Sequence, residues 1–314
     1  MNDFFLNSLN HSKTQFFDFN EILINNGLIV LGKYNSQLIQ NTLSKNNQII
    51  LFITDSIENI DLDLLKSPSI TVICNHQIIF NSLIKDKSIH QLFLRPTYDN
   101  ISINVILLLR DNSRVDHVNK RLSSIIQNIK IFPAIDALTP HAIDNCVRKE
   151  KLPILKPIRA GKIGCLFSHL LLWKELIMGT YPAMLILEDD NLPIDDFISK
   201  FQLILDKLSP TFDILHLCIP THLENSKILL QTQLPCAETC AYLISRKGAA
   251  KLLNNLKEIR EPLNIIIQKQ ILLSNLEAYS VGESIFTNIG KNTPFKDDIL
   301  SSNTTASKIY VPGE

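Results

Sequence analysis

One stretch of the chain reads Met184-Leu185-Ile186-Leu187-Glu188-Asp189-Asp190, an apolar tetrad that ends in three consecutive carboxylates. Pro182 precedes the tetrad and Pro193 follows the acidic residues, and prolines commonly mark the limits of regular elements. A short apolar run of this kind predicts a buried strand whose C-terminal end emerges into solvent. In open α/β sheets, ligands bind at that end of the strands. The stretch therefore predicts an α/β sheet with a ligand site at its carboxyl edge.

The acidic triplet has two interpretations, and both stay open at this point. Adjacent carboxylates repel one another, and a divalent cation that bridges to a diphosphate stabilises such a cluster. An acidic turn that closes a strand accounts for the same three residues without any ligand.

Further blocks precede and follow the strand in a fixed order, and together they are more specific than any one of them. They are Ile106-Leu107-Leu108-Leu109-Arg110-Asp111-Asn112-Ser113-Arg114, Phe132-Pro133-Ala134-Ile135-Asp136-Ala137, Gly161-Lys162-Ile163-Gly164-Cys165-Leu166-Phe167-Ser168-His169 with Trp173, Phe212-Asp213-Ile214-Leu215-His216-Leu217 and Thr239-Cys240-Ala241-Tyr242-Leu243-Ile244-Ser245-Arg246-Lys247-Gly248-Ala249. In these blocks the chain resembles glycosyltransferase family 25, the lipooligosaccharide galactosyltransferase-like enzymes, over approximately residues 101 to 300.

The resemblance implies a fold, an activity and a cofactor. The fold is α/β of the GT-A variety, with a mostly parallel sheet between helices. The activity is inverting transfer of a hexose, galactose from UDP-galactose, to a lipooligosaccharide or other glycan acceptor. A carboxylate base deprotonates the acceptor hydroxyl, and Mn²⁺ or Mg²⁺ stabilises the departing diphosphate.

The resemblance also implies roles for single residues. Asp190 is the expected metal ligand and a catalytic residue, and Glu238 and Glu261 are candidates for the base. The residues expected to bind the nucleotide-sugar donor are Arg110, Arg114, Asp136, Ser168, His169, Glu188 and Asp189.

Several of these residues also have structural interpretations. Ser168 is a favoured N-cap type and stands before the predicted helix Leu170 to Met178. Trp173 lies on the same side of that helix as His169 and is expected in the core. His216 ends a predicted strand, where it either binds a metal or fills the core, and the core is the preferred interpretation.

The chain departs from the family pattern at a few positions, which motivates a second reading of its function. Lys162 stands where the family has Glu, Asn264 where it usually has Asp, and Leu107 and Leu109 where it often has Asn and Asp. A non-catalytic protein that binds glycan or scaffolds a glycosyltransferase complex is therefore the alternative. A metal-dependent nucleotidyltransferase is a third reading, but the nine glycines form no phosphate-binding loop.

Composition limits the partners. The chain has 314 residues with 31 basic and 31 acidic side chains, so no global field attracts nucleic acid or an anionic membrane. No apolar run reaches the length of a membrane span, and the N-terminus lacks the pattern of a secretory signal. The six scattered cysteines are expected to be reduced thiols. We expect a cytoplasmic protein with at most peripheral contact with the inner face of the membrane.

The chain is predicted to contain two domains. Residues 1 to 97 show short apolar runs at Leu28 to Gly32, Ile49 to Asp55 and Ile70 to Cys74, which predict a small β/α lobe. Residues 98 to 314 form the family 25-like domain, and the tail from Ser301 is expected to be loosely ordered. The lobe lies outside the resemblance; it could cover the catalytic sheet, mediate a homo-oligomer or dock a partner glycosyltransferase.

Overall fold

The computed structural model describes residues 22–25, 28–31, 48–53, 61–74, 83, 88, 92–219, 227–232, 240–288 and 309–310. Contacts divide the chain into two compact units. One comprises residues 1–100 and 205–211, and the other comprises residues 101–204 and 212–314.

The first unit contains a sheet of five strands in sequential order, of which the last four run parallel and the first is antiparallel. The three predicted strands are present. The first strand was not predicted, although the intervening Asn26-Gly27 is a strong hairpin signal. The elements are β1 (Ile22–Asn25), β2 (Leu28–Leu31), β3 (Gln48–Ile53), helix α1 (Leu62–Leu65), β4 (Ile70–Cys74) and β5 (Leu92–Leu94).

The second unit contains a sheet of seven strands with helices between them, so the predicted α/β class is confirmed. Its elements are β6 (Ser102–Leu107), α2 (Asn112–His117), a π-helical turn (Val118–Leu122), α3 (Ser123–Ile125), β7 (Ile129–Pro133), α4 (Ala142–Glu150), β8 (Ile158–Arg159), α5 (Ala160–Met178), β9 (Ala183–Glu188), β10 (Asn191–Pro193), α6 (Phe197–Lys207), β11 (Ile214–His216), β12 (Leu229–Gln231), β13 (Ala241–Ser245), α7 (Arg246–Asn255), α8 (Leu263–Leu272), β14 (Ala278–Val281), β15 (Phe286–Asn288) and β16 (Ile309–Tyr310). The end of α6, from Leu205, is assigned to the first unit.

The strand order in this sheet is β12-β14-β11-β13-β9-β6-β7. Among the described strands, β13 and β12 run opposite to the other five, so the sheet is mixed but mostly parallel. Strands β6 and β7 lie side by side next to β9, and all three run in the same direction. Their C-terminal ends therefore meet at one edge of the sheet, where parallel strands present ligand sites.

Strand β9 occupies the interior of this sheet because its apolar run is buried on both faces. Met184 and Ile186 pack in the cluster that also contains helix α5, and alternate residues point to the other face. The predicted strand is confirmed and extends to Glu188, which lies opposite Ile106 of β6.

Helix α5 begins at Ala160, eight residues before the predicted N-cap Ser168, so that prediction is wrong. The helix passes so close to the loop after β7 that a Cβ on Gly164 would lie 2.3 Å from the Ile135 carbonyl oxygen. Glycine is required by this tertiary contact. The helix is buried around most of its circumference, which favours a central element of the unit.

The pattern of the sequence also predicts a helix around Val115 to Gln127 and a loosely ordered tail from Ser301. The helix predicted from Val115 to Gln127 is interrupted by the π-helical turn after α2. Of the C-terminal tail, only β16 is described, and it pairs with β8; the expected loose order of the remainder falls outside the described residues. Within the described part of the chain, no helix is both long and apolar enough to cross a membrane.

Candidate active site

The three carboxylates at the end of β9 point in different directions. Glu188 continues the row of Met184 and Ile186 and approaches His169 on α5, with 3.8 Å between its Oε1 and His169 Nε2. Asp189 bonds instead to Arg114 at the other end of the loop after β6. Successive side chains of a strand point to opposite faces of the sheet, so Glu188 and Asp189 lie in two different environments.

Asp189 is almost fully buried and its carboxylate is saturated by two donors. One oxygen accepts from the guanidinium of Arg114 and the other accepts from the Leu108 backbone N–H at 2.8 Å. Burial lowers the pKa of Arg114, but the carboxylates of Asp189 and Asp190 more than offset this effect, so that its pKa is raised. The ion pair of Asp189 and Arg114 therefore links the ends of β6 and β9.

Asp190 is half-buried, and its carboxylate is incompletely satisfied. The side chain of Asn288 hydrogen bonds to it, whereas its Oδ1 has no hydrogen-bond partner among the described residues. Burial and the charges of Glu188 and Asp189 raise the pKa of Asp190 to about 7. A buried carboxylate oxygen without a donor is a costly arrangement that a bound cation relieves.

Asn191 fixes the turn that carries these carboxylates. Its amide donates to the carbonyl oxygens of Glu188, at 2.9 Å, and of Cys240. The backbone carbonyl oxygen of Asn191 accepts a hydrogen bond from Nε2 of the buried His117, at 2.9 Å. The acidic turn is therefore fixed by hydrogen bonds to its backbone and to Cys240 and His117.

On the other side of β9, His169 belongs to a buried chain of polar groups. Its Nδ1 lies 2.7 Å from the Tyr242 hydroxyl, which also accepts from the Trp173 indole N–H at 3.0 Å. Trp173 is fully buried, as predicted. His169 Nε2 has no partner among the described residues and is directed at Glu188.

Arg110 and Asp136, both predicted to bind the donor, form an ion pair of 2.6 Å at the ends of the adjacent strands β6 and β7. Asp136 also accepts from the Leu138 N–H at 2.9 Å, which closes its loop. The pair remains partly exposed, so it can still meet a ligand.

Helix α5 holds the loop of Asp136 in place. The hydroxyl of Ser168 donates to the Gly164 carbonyl and accepts from the Ile135 N–H, both at 2.8 Å. Ser168 has no accessible surface. These two hydrogen bonds position the loop of Asp136. The predicted contact of Ser168 with the donor stays a prediction.

The remaining candidates are Glu261, Glu238 and His216. Glu261 forms an ion pair of 2.6 Å with Lys269 of α8, and Glu238 lies outside the described residues. His216 is fully buried at the end of β11, as the core interpretation predicted, and both of its ring nitrogens lack partners among the described residues. Burial lowers its pKa to about 4.

Four contributors to the site were missed in the sequence: Asn191, Asn288, Tyr242 and Cys165. Asn191 directly follows the acidic triplet, and Cys165 stands one helical turn before His169, so both had a local signal. Tyr242 lies 73 residues from His169, and no local pattern connects them.

A mixed, mostly parallel sheet between helices, with acidic and basic side chains at one carboxyl edge, is consistent with an α/β glycosyltransferase fold. The sequence profile of glycosyltransferase family 25 (LPS biosynthesis protein) matches residues 100–267, just over half of the chain. The chain therefore belongs to glycosyltransferase family 25, and the resemblance found in the sequence is confirmed.

A viral relative supports this assignment. The procollagen lysyl hydroxylase and glycosyltransferase of Acanthamoeba polyphaga mimivirus is 24% identical over 160 residues, which are 46% of this chain and 18% of the viral protein. The chain thus matches less than a fifth of that relative's length.

Proposed function

We propose that this glycosyltransferase transfers a hexose, galactose from UDP-galactose, to a lipooligosaccharide or other glycan acceptor with inversion at the sugar. The proposal includes the GT-A variety of the α/β fold and dependence on Mn²⁺ or Mg²⁺. It rests on one observation above all: Asp190 presents a buried, unpartnered carboxylate oxygen at the carboxyl end of β9.

The residues at this strand end fit a hard divalent cation. Three carboxylates lie in succession, and the only guanidinium bonded to them in the described structure is that of Arg114, on Asp189. Asp190 would hold the cation through oxygen, the ligand that Mg²⁺ and Mn²⁺ prefer. The bound cation supplies charge stabilisation to a departing diphosphate.

The protein's own residues provide the rest of the donor site in this proposal. The ion pair of Arg110 and Asp136 offers a guanidinium and a carboxylate on a partly exposed edge, suited to phosphate and ribose hydroxyls. Arg114 and Asp189 keep the ends of β6 and β9 together, so that Asp190 stays in position.

Inversion requires a base that takes the acceptor proton. Glu238 and Glu261 both remain candidates. The ion pair of Glu261 with Lys269 favours a structural role for it, so Glu238 is the candidate that we prefer. Transfer rates of Glu238→Gln and Glu261→Gln discriminate between them, since loss of a general base lowers the rate by about 100-fold or more.

A non-catalytic binding or scaffolding role is the second candidate. Two substitutions favour it: Lys162 is exposed in the first turn of α5, and Asn264 lies in the first turn of α8. A protein of this kind would bind glycan without consuming a nucleotide sugar.

A donor screen tests the proposal. UDP-, GDP- and CMP-sugars are added to the full chain with and without Mn²⁺, and the melting temperature is measured, because a ligand of the folded state raises it. We expect UDP-galactose with Mn²⁺ to give the largest increase and to support transfer to a glycan. Glycan binding without any donor-dependent shift or transfer would instead select the scaffolding role.

A further inference from the structure

A second set of metal ligands lies on the α5 side of β9, apart from Asp190. Cys165 and His169 are one helical turn apart on α5, and Glu188 ends β9. Their ligand atoms, a sulfur, an imidazole nitrogen and a carboxylate oxygen, all lie within 4.8 Å of one another. We propose that Cys165, His169 and Glu188 bind a Zn²⁺-class divalent cation.

The geometry of His169 supports this site most strongly. The ring is 1% exposed, and its Nε2 lies 3.8 Å from Glu188 Oε1 without a hydrogen-bond partner among the described residues. A buried imidazole nitrogen that meets no donor or acceptor is unfavourable. A cation between Nε2 and the carboxylate would give the ring nitrogen a partner.

The other ring nitrogen is held in the manner of metal-binding histidines, which usually form a second hydrogen bond that fixes the ring. His169 Nδ1 lies 2.7 Å from the Tyr242 hydroxyl. That hydroxyl has two lone pairs and the Trp173 N–H uses one of them, at 3.0 Å. The second lone pair can accept from Nδ1–H, which leaves the lone pair of Nε2 available for the cation.

The chemistry of the ligands distinguishes this site from the one proposed at Asp190. Thiolate and imidazole favour Zn²⁺ and Co²⁺, whereas carboxylate oxygens favour Mg²⁺ and Mn²⁺. The ligand atoms of a tetrahedral ion lie about 4 Å or less from one another. The three atoms here need to approach only slightly to reach that distance. Three protein ligands leave a fourth position open to water or substrate.

The inference goes beyond sugar transfer and does not depend on it. Because Glu188 directly precedes Asp189 and Asp190, a cation on the α5 side would bind the same turn that carries the proposed donor site. Occupation of this site is therefore expected to stiffen the end of β9.

Cobalt absorption tests the site directly. The full chain is stripped of metal with a chelator and titrated with Co²⁺ alone. We expect a thiolate-to-cobalt charge-transfer band in the near ultraviolet and intense visible bands typical of four-coordinate Co²⁺, both abolished by added Zn²⁺. Cys165→Ser should lose the charge-transfer band. Cys146→Ser is the matched control, a partly buried cysteine on α4 outside the cluster, and should keep it.

A second variant guards against misfolding of the first. Circular dichroism checks each protein, and Glu188→Gln should retain the charge-transfer band while weakening Co²⁺ binding by about 10-fold or more. Asp190→Asn should keep both band and affinity, which separates this site from the proposed donor site. Absence of the band in folded wild-type protein, or its persistence in Cys165→Ser, would overturn the proposal.

Discussion

The carboxylate of Asp189 is bonded to the guanidinium of Arg114, 75 residues earlier, and this pair joins the acidic end of β9 to helix α2. Both side chains are largely buried, at 5% and 18% exposure. Neither group can therefore rely on water if its partner is removed.

Arg114→Gln is expected to destabilise the protein by about 3 kcal/mol, because it leaves the charge of Asp189 buried and unpaired. Chemical denaturation measures this loss. Arg110→Gln is the matched control: its pair with Asp136 is 37% and 20% exposed, so the loss there should be below about 1 kcal/mol. Equal losses in the two variants would contradict the structural role of Arg114.

Gly164→Ala is expected to cost about 1–3 kcal/mol despite the better helix propensity of alanine, because the added methyl group meets the Ile135 carbonyl oxygen at 2.3 Å. Gly179→Ala, whose nearest contact is 3.1 Å, should be much milder. Thermal unfolding compares them. An unchanged or higher stability of Gly164→Ala would show that the loop of Asp136 is not held as described.

The pH dependence of stability reports on Asp190. Its pKa is raised to about 7 in the folded protein, so between about pH 4 and 7 the folded state binds more protons than the unfolded state. The contribution of Asp190 to stability therefore falls as the pH rises through this window.

Asp190→Asn removes that titration. Without metal, the variant should be more stable than wild type at pH 8 by about 2–4 kcal/mol and similar to it near pH 4. Unfolding in a chelator at both pH values measures the difference. A stability difference that does not change with pH would contradict the buried position of the carboxylate.

His216 has the opposite dependence. Because its pKa is lowered to about 4, the unfolded state binds more protons between about pH 4 and 6.5, and stability is lost as the pH falls through that range. His216→Leu should remove a loss of about 3 kcal/mol. Acid unfolding curves that coincide for wild type and His216→Leu would contradict this.

The sequence was sufficient for the parts of the fold that continuous apolar runs determine. Strand β9 was predicted almost to the residue, because its buried position requires apolar side chains from Ala183 to Leu187. The start of α5 was missed because Gly164 serves a tertiary contact, which local propensity does not reveal.

The connections within the site were not predictable for a related reason. Strand ends were recognised, but their order β7-β6-β9 was not, and this order pairs Arg110 with Asp136 and Arg114 with Asp189. Both arginines were predicted to bind the donor because of the resemblance, and that role stays a prediction for each of them. The division of residues 1–97 and 98–314 into functional domains stays a prediction.

The role of Asp190 as the metal ligand of a glycosyltransferase is tested most directly by Mn²⁺-dependent transfer from UDP-galactose in Asp190→Asn. The substitution keeps the shape of the side chain and removes its charge. We predict a folded variant whose transfer rate is about 100-fold or more below that of wild type, as expected when one electrostatic stabiliser of the leaving group is lost. A folded Asp190→Asn variant with undiminished Mn²⁺-dependent transfer would contradict the account.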